Sequence, residues 1–222
     1  MGEETVLETV LAGTVDNPFL FDATPAELEK FLLTNIFVAG KNASVQQKKL
    51  DQFIDIVKRE LGEYAVNSLG VLSAIHHGIL EADLATTVKA WLMEAKTGQY
   101  SRISAGLMHA SNRIGSNKLN LKKCKRENLV GIPGIGYKTA SMFLMYTRKG
   151  WCGACLDTHI LKYMREELQL PDIPASTPML KPEYERLEKL FVDSVTPILL
   201  TKKQTIAEFD FEIWSRYRVK VD

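Results

Sequence analysis

The sequence is poor in cysteine and has no marked excess of charge of either sign. Its 222 residues include three cysteines, an odd number that is too small for the disulfide framework of a small secreted protein. The 28 Lys and Arg residues nearly balance the 27 Asp and Glu residues, so the net charge is +1. A nucleic-acid-binding protein of this composition must concentrate its basic residues on part of its surface.

Long apolar runs, internal repeats and low-complexity tracts are missing as well. With no signal-peptide pattern and no run of membrane-spanning length, we expect no membrane association and an intracellular location, in the cytoplasm or nucleoid or in a eukaryotic nucleus. The alternation typical of strands is scarce, whereas apolar residues recur at helical spacing. These features predict an all-α protein.

Helix boundaries follow from capping residues, glycines and prolines. A threonine followed by a proline predicts a helix start at Thr24–Pro25, and Gly62, Gly70 and Gly78 are expected to end short helices. The proline-rich segment 171–182 is expected to be a connector. The other expected helices cover residues 44–57, 100–114, 120–129, 183–197 and 202–217.

The most informative stretch is G-I-P-G-I-G-Y-K-T-A, residues 131–140, which precedes C-L-D-T-H-I at residues 155–160. Its glycines allow positive φ and let a ligand approach the backbone closely. A helix that begins after this turn offers free N–H groups and a partial positive charge to a phosphate. With the preceding helix it would grip a DNA backbone without reading base sequence. The candidate DNA-backbone contacts are Gly134, Gly136, Lys138 and Thr139.

Lys138 and Asp157 each have two interpretations. The lysine, in the first turn of the second helix, is either a phosphate contact or a nucleophile, if its surroundings free the amine of its proton. The aspartate is either a simple N-cap for the helix it heads or a carboxylate that assists the chemistry. The basic run at residues 122–126 is either a solvated face or a further DNA contact.

A C-x-x-C pair, Cys152 and Cys155, is normally a cue for metal or redox chemistry. A structural zinc site needs four ligands, and Cys124 and His159 would complete the set only by a coincidence of folding. The alternative is that the cysteines are small packing residues. We expect no metal site.

Residues 131–140 together with L-D-T-H at residues 156–159 resemble the helix-hairpin-helix DNA glycosylase superfamily, which includes endonuclease III. In its bifunctional members a lysine after the glycine hairpin attacks the sugar and a later aspartate assists. The resemblance assigns these roles to Lys138 and Asp157. Members of the endonuclease III type carry a four-cysteine iron–sulfur loop after the last helices. No cysteine follows Cys155, so we expect no iron–sulfur cluster.

Within the superfamily the chain most resembles the archaeal-type 8-oxoguanine DNA glycosylase/AP lyase family. G-I-G-Y-K-T-A-S-M-F-L, from Gly134 onward, is similar to that family's G-I-G-Y-K-E-A-S-H-F-L and departs from it at Thr139 and Met142. Q-Y-S-R-I-S-A-G-L-M-H-A at residues 99–110 is similar to F-Y-x-x-K-A-x-Y-I-x-x-A. E-F-D-F-E-I-W at residues 208–214 is similar to E-L-D-L-x-I-W.

The resemblance implies two helical lobes with the helix-hairpin-helix motif, about residues 120–147, at the cleft between them. The first lobe would cover residues 27–150, and residues 1–26 with 151–222 would form the second lobe, which carries the catalytic aspartate. It further implies a base pocket with Met142 and Trp214, and a minor-groove wedge in a helix-to-helix turn, for which Lys41 and Asn42 are the candidates. No cofactor is required, although hairpins of this kind often hold a monovalent cation through their carbonyls.

The function implied is that of a bifunctional DNA glycosylase/AP lyase in base excision repair. It would be a monomer acting on double-stranded DNA that contains a damaged base, with 8-oxoguanine as the leading lesion. Two alternatives stay open: removal of oxidised pyrimidines, as by endonuclease III, or of another modified base, and a non-catalytic helix-hairpin-helix protein that only holds DNA.

Overall fold

The computed structural model describes residues 19–38 and 43–218, and these ranges contain eleven α-helices and no strand. The prediction of an all-α fold is confirmed. The chain divides into two compact units, one ending at Ile135 and the other beginning at Gly136. Within the described ranges, no helix combines the length and the apolar character that crossing a membrane needs.

Seven helices of the described chain lie in the first unit and four in the second. Those of the first unit are α1 (Pro25–Val38), α2 (Ala43–Leu61), α3 (Glu63–Leu69), α4 (Val71–Gly78), α5 (Glu81–Glu94), α6 (Tyr100–Gly115) and α7 (Arg126–Val130). Those of the second unit are α8 (Tyr137–Thr147), α9 (Thr158–Glu166), α10 (Lys181–Lys202) and α11 (Ile206–Arg218).

Helix α1 begins where its capping residues predict. The Thr24 N–H donates to the Glu27 carboxylate over 2.7 Å, and the Glu27 N–H donates to the Thr24 hydroxyl over 3.3 Å. This reciprocal pair satisfies two backbone donors that the helix itself leaves open. The apolar residues of α1, among them Leu32 and Phe37, are fully buried in the core of the first unit, where α6 packs against α4 and α5.

Two helix boundaries differ from the sequence prediction. Residues 120–129 do not form one helix: the Asn120 side chain accepts from the Lys122 N–H over 2.9 Å, which makes a local turn, and α7 starts only at Arg126. In the second unit, Pro197 does not end a helix and lies inside α10. It is exposed, so the carbonyl that loses its N–H partner is on the solvent side, while buried residues such as Phe191 hold the helix in place.

The second unit begins earlier than the sequence interpretation placed the second lobe. Residues 136–150, expected in the first lobe, group with the residues that follow them, because α8 packs on α10. The rings of Tyr137 and Tyr184 lie 5.7 Å apart, and the Ser141 side chain is hydrogen-bonded to Tyr184. Residues 19–26, which were expected in the second lobe, group with the first unit, and residues 1–18 lie outside the described ranges.

The first unit contains a buried carboxyl group, Glu29. Only 5% of this residue is exposed, and its carboxylate accepts from the Leu72 N–H over 3.0 Å. Gly70, at a φ of +86°, lies so close that an added Cβ would stand 2.5 Å from the carboxylate oxygen. Burial outweighs the hydrogen bonds to Leu72 and Ser73 and raises the pKa of Glu29 to about 7.

We expect this carboxyl to make the stability of the protein pH-dependent. A carboxyl whose pKa is raised in the folded state stabilises the fold below its ordinary pKa of 4.5 and loses that contribution as the pH rises through about 7. Relative to the wild type, Glu29→Gln should therefore gain roughly 2 kcal/mol in free energy of unfolding between pH 5 and pH 8. Urea denaturation at both pH values measures this gain. The exposed Glu63→Gln serves as control, and an equal gain in that variant would contradict the assignment.

Candidate active site

The glycine-rich stretch forms a tight turn at the end of the first unit. The Ile135 N–H donates to the Ile132 carbonyl over 2.9 Å. Pro133 and Gly134 are the two central residues, and Gly134 has a φ of +88°, as a type II β-turn requires. A side chain at Gly134 would be strained, and its Cβ would lie 2.9 Å from the Arg102 guanidinium.

Helix α6 supports this turn within the first unit. A Cβ added at Gly106 would lie 2.7 Å from the Pro133 carbonyl oxygen, so the turn approaches the helix at a position that only glycine permits. Arg102 donates to the Ile36 carbonyl over 2.9 Å, and Arg113 donates to the Asn128 carbonyl over 2.6 Å. Both arginines are therefore engaged with backbone carbonyls beside the turn.

Gly136, at the start of the second unit, is the N-cap of α8. It is exposed, and a Cβ added there would meet no atom within 4 Å. Its φ of −90° suits any residue. No internal contact in the described chain thus requires glycine here, and the open space lies beside the N-terminal turn of an eleven-residue helix.

Lys138 lies in that first turn and is half-buried. Its carbonyl accepts a hydrogen bond from the Cys155 thiol over 3.6 Å. This contact ties the helix that carries the lysine to the chain segment just before Asp157. Thr139 is half-buried beside it.

Asp157 is the N-cap of α9. Its Oδ1 accepts from the His159 N–H over 2.8 Å and from the Ile160 N–H over 2.9 Å, which confirms the capping interpretation. Two donors therefore fix the orientation of the carboxylate. Within the described part of the chain, its second oxygen has no hydrogen-bond partner and remains for other chemistry. Capping does not exclude a catalytic role.

The segment before Asp157 has no regular secondary structure, and buried side chains bind its backbone. The Ala154 N–H donates to Glu188 over 3.0 Å. The Leu156 N–H donates to the Tyr184 hydroxyl over 3.2 Å, and that hydroxyl donates in turn to the Ala154 carbonyl over 2.8 Å. Tyr184 is fully buried and Glu188 nearly so. The segment that delivers Asp157 is thus held by α10 through specific hydrogen bonds.

Cys155 lies between Ala154 and Leu156 and connects this segment to Lys138 and Asp210. Its N–H donates to the Asp210 carboxylate on α11, and its carbonyl accepts from the Asp157 N–H over 2.6 Å. Burial, reinforced by the negative charges of Asp210 and Asp157, raises the pKa of the Cys155 thiol well above its ordinary value. The thiol therefore keeps the proton with which it binds the Lys138 carbonyl.

Lys138 and Asp157 both act electrostatically on the same two buried groups of the second unit, Asp210 and Cys155. Burial raises the pKa of Asp210 well above its ordinary range, the negative charge of Asp157 raises it further, and the positive charge of Lys138 opposes the rise. The same two charges act on the Cys155 thiol. The amine and the carboxylate that the sequence singles out therefore surround the same buried groups.

The other predicted site residues are less closely connected. Met142 on α8 and Trp214 on α11 are half-buried, and Trp214 stacks on Phe211 at 6.1 Å between ring centroids. Their roles in a base pocket stay predictions. The wedge candidates, Lys41 and Asn42, lie outside the described residues.

The basic run at residues 122–126 is only partly exposed. Lys122, Lys123 and Lys125 face solvent, whereas Arg126 is buried and does not contribute to that face. In the C-x-x-C pair, Cys152 is exposed and Cys155 is buried. Within the described ranges, no group of three or more His, Cys, Asp or Glu side chains could hold a metal ion. The cation at the hairpin carbonyls stays a prediction.

Sequence reasoning missed three residues of this site: Tyr184, Glu188 and Asp210. For the two carboxylates, Glu188 and Asp210, the sequence contains a pattern that could have identified them. Glu188 directly follows the buried Leu187, and Asp210 directly follows the buried Phe209, so each acid adjoins the apolar face of its helix. Acidic residues are rarely buried unless they have partners. Nothing in the sequence, however, identifies backbone N–H groups as those partners.

Along the chain, α7, the glycine turn and α8 follow one another in the order of a helix-hairpin-helix motif. No protein-family model and no curated protein matches the sequence. Among solved structures, the 8-oxoguanine DNA glycosylase of Thermotoga maritima is similar over 91% of this chain and 86% of its own, with 23% identity and a TM-score of 0.57.

Two structures from Methanocaldococcus jannaschii are also similar. Its 8-oxoguanine DNA glycosylase matches 98% of this chain and 90% of its own, with 20% identity and a TM-score of 0.59. Its 8-oxoguanine glycosylase/lyase in complex with a 15mer DNA containing 8-oxoguanine matches 90% of this chain and 85% of its own, with 21% identity and a TM-score of 0.58. At these identities the likeness establishes the fold, and the chain has the helical fold of these glycosylases.

We expect Asp157 to contribute to stability through its side-chain oxygen. Asp157→Ala removes the acceptor for two N–H groups and should cost about 1 kcal/mol in free energy of unfolding. Asp157→Asn retains an equivalent oxygen and should cost less than half of that. Urea denaturation compares the two, with the neighbouring exposed Thr158→Ala as control. Equal losses in the Ala and Asn variants would contradict the capping account.

Proposed function

We propose that this protein is a bifunctional DNA glycosylase/AP lyase that excises an oxidised base, 8-oxoguanine first among the candidates, and nicks the DNA strand. The observation that carries the proposal is the common neighbourhood of Lys138 and Asp157 around Asp210 and Cys155. The shared fold supports it, since two of the similar structures are named 8-oxoguanine DNA glycosylases and the third a glycosylase/lyase bound to 8-oxoguanine DNA.

DNA binding begins at the glycine turn in this proposal. The backbone at Gly134 and Gly136, with the first turn of α8 at Lys138 and Thr139, would receive phosphates, because a helix N-terminus offers N–H donors and a partial positive charge. The exposure of Gly136 and the open space beside it support this role. Such contacts hold the duplex without reading its sequence.

The chemistry acts on a nucleotide that has been flipped out of the stack. The Lys138 amine, in its uncharged form, attacks the anomeric carbon of the sugar while the glycosidic bond breaks and the base leaves with the bonding electrons. Asp157 stabilises the positive charge that develops on the sugar. Its support for this role is geometric: two N–H donors hold one oxygen and leave the other uncommitted. After the attacking nitrogen has lost a proton, its electron pair forms the C=N bond of a Schiff base while the C1′–O4′ bond breaks and O4′ takes up a proton. Loss of a proton from C2′ then expels the 3′-phosphate, and this β-elimination nicks the strand.

The remaining parts of the proposal follow the resemblance. Met142 and Trp214 line the base pocket, and Lys41 or Asn42 fills the gap left by the flipped base. The protein works as a monomer on double-stranded DNA inside the cell, and no cofactor or iron–sulfur cluster takes part. A monovalent cation at the hairpin carbonyls would strengthen the hold on the backbone. A division into two helical lobes belongs to the same proposal, with residues 136–150 in the second lobe, where the fold groups them.

A second candidate is the removal of oxidised pyrimidines. It is favoured by D-T-H at residues 157–159, which is the form in endonuclease III, whereas the 8-oxoguanine family often has D-R-H. A protein that only holds DNA would make Lys138 a phosphate contact without covalent chemistry. A panel of duplexes with 8-oxoguanine, an oxidised pyrimidine or no lesion separates these candidates.

Replacing the proposed nucleophile should abolish the covalent step and leave most of the affinity for DNA. On the preferred lesion duplex, Lys138→Gln should form no borohydride-trapped complex, while its affinity for DNA falls by less than about tenfold, since one phosphate contact is a small part of the interface. Gel shift and trapping assays measure the two properties. Lys189→Gln, at an exposed lysine of the same unit, should be trapped as the wild type is. Undiminished trapping of Lys138→Gln would show that another amine attacks.

The proposed phosphate-binding site can be tested at Gly136, where no internal contact of the described chain requires a glycine. Gly136→Ala meets no atom within 4 Å and should fold normally, yet its methyl group would stand where the phosphate approaches. We expect its DNA affinity to fall about tenfold or more at low salt. Gly150→Ala, also without neighbours within 4 Å, is the matched control and should bind as the wild type does. Equal affinities of both variants would remove Gly136 from the DNA interface.

A further inference from the structure

Tyr184 on α10 contacts both of the elements that carry Lys138 and Asp157. It is fully buried in the core of the second unit. Its ring lies 5.7 Å from the ring of Tyr137, the first residue of α8, and its hydroxyl binds the segment that leads to Asp157. The helix with the amine and the segment with the carboxylate therefore pack against one and the same side chain.

The hydroxyl group of Tyr184 forms three hydrogen bonds. It donates to the Ala154 carbonyl over 2.8 Å and accepts from the Leu156 N–H over 3.2 Å. The third bond is to the side chain of Ser141, a fully buried residue one turn after Lys138 on α8. One oxygen atom thus joins three parts of the unit: α8, α10 and the backbone of residues 154–156.

Packing alone does not require a hydroxyl at this position. A phenylalanine would fill almost the same volume, and a buried hydroxyl is costly unless it is hydrogen-bonded. Burial raises the pKa of Tyr184 above its ordinary value of 10.0, so the phenol keeps the proton that it donates. Its removal would leave the Leu156 N–H and the Ala154 carbonyl without this partner inside the protein.

The hydroxyl is also the stronger of two links between α8 and this segment. The other link is the hydrogen bond from the Cys155 thiol to the Lys138 carbonyl, with 3.6 Å between sulfur and oxygen. A thiol is a weak donor, whereas the phenol and serine hydroxyls are full donors and acceptors. The position of the segment relative to α8 should therefore depend mainly on the oxygen of Tyr184.

We propose that Tyr184 is a positioning residue whose hydroxyl sets the placement of Asp157 relative to Lys138. The inference rests on the proposed function for its catalytic consequence, since that function assigns the chemistry to these two groups. Tyr184 itself touches no reacting atom in this account. A displacement of about 1 Å between groups that act on the same sugar is enough to slow the reaction by one or two orders of magnitude.

Tyr184→Phe should separate the rate of the reaction from the affinity for DNA. On saturating lesion duplex, we expect its single-turnover trapping rate to fall about tenfold or more. Its affinity in gel shifts should stay within about threefold of the wild type, because backbone contacts elsewhere dominate binding. A change that only lowered the folded fraction would reduce both quantities together.

Tyr163→Phe is the matched control. Tyr163 is a buried tyrosine of α9 that packs against Phe191 and Phe209, and its hydroxyl has no hydrogen bond within the described chain. This variant should be trapped at the wild-type rate. Equal trapping rates of Tyr184→Phe and Tyr163→Phe would overturn the proposal.

Ser141→Ala tests the link to α8 and leaves both bonds from Tyr184 to the segment in place. The trapping rate should fall in this variant as well, with little change in affinity. In the Tyr184→Phe background, Ser141→Ala should cause no further loss, because the two residues act through one hydrogen bond. Independent losses that multiply in the double variant would contradict the proposal. If Tyr184→Phe does not fold, an unchanged rate in Ser141→Ala overturns it.

A measurement without DNA separates this inference from the proposed function. Amide hydrogen exchange followed by NMR reports how firmly the Leu156 N–H is held. Its exchange should accelerate about tenfold or more in Tyr184→Phe, and about threefold or more in Ser141→Ala, which does not touch that N–H. Unchanged exchange in Ser141→Ala would show that α8 does not hold the segment through Tyr184. If the exchange rates change as expected and the wild type is trapped on no lesion, the proposed function alone is refuted.

Discussion

The site depends on three buried hydrogen bonds to the backbone of residues 154–156. A buried segment without regular secondary structure has no helix or sheet to satisfy its N–H groups, so side chains must do so. Glu188, Asp210 and Tyr184 supply the acceptors, one for each successive N–H. Leaving one such group without its partner costs roughly 1–3 kcal/mol. The segment is therefore held in one conformation by helices α10 and α11.

This constraint positions Lys138 and Asp157, the two groups to which the proposed function assigns the chemistry. The segment ends at Asp157, whose carboxylate is oriented by the N–H groups of α9. Its middle residue, Cys155, binds the carbonyl of Lys138 and so fixes the helix that carries the amine. The same hydrogen bonds hold the Asp210 carboxyl group where the charges of both Lys138 and Asp157 act on it. A pair distant in sequence thus becomes a local arrangement on rigid elements, as the catalysis proposed above would require.

The predictable part of the structure came from local chemistry, and the unpredictable part from tertiary contacts. The cap at Thr24 and the glycine turn act over a few residues, so their effect can be inferred from neighbours in the sequence. Pro197 could not be placed in the same way, because its tolerance depends on which side of α10 faces solvent. The three hydrogen bonds to residues 154–156 could not be predicted either, since they join residues 28, 34 and 55 positions apart. Lys138 and Asp157 were identified from their motif, and only the fold shows which buried groups surround them.

Mapping the reduced covalent adduct tests the central claim most directly. The protein is incubated with lesion DNA and borohydride, digested with nuclease and protease, and analysed by tandem mass spectrometry for the peptide that carries the deoxyribose remnant. The account requires the adduct on the Nζ of Lys138. An adduct on another lysine or on the terminal amine, formed at the wild-type rate, would contradict it.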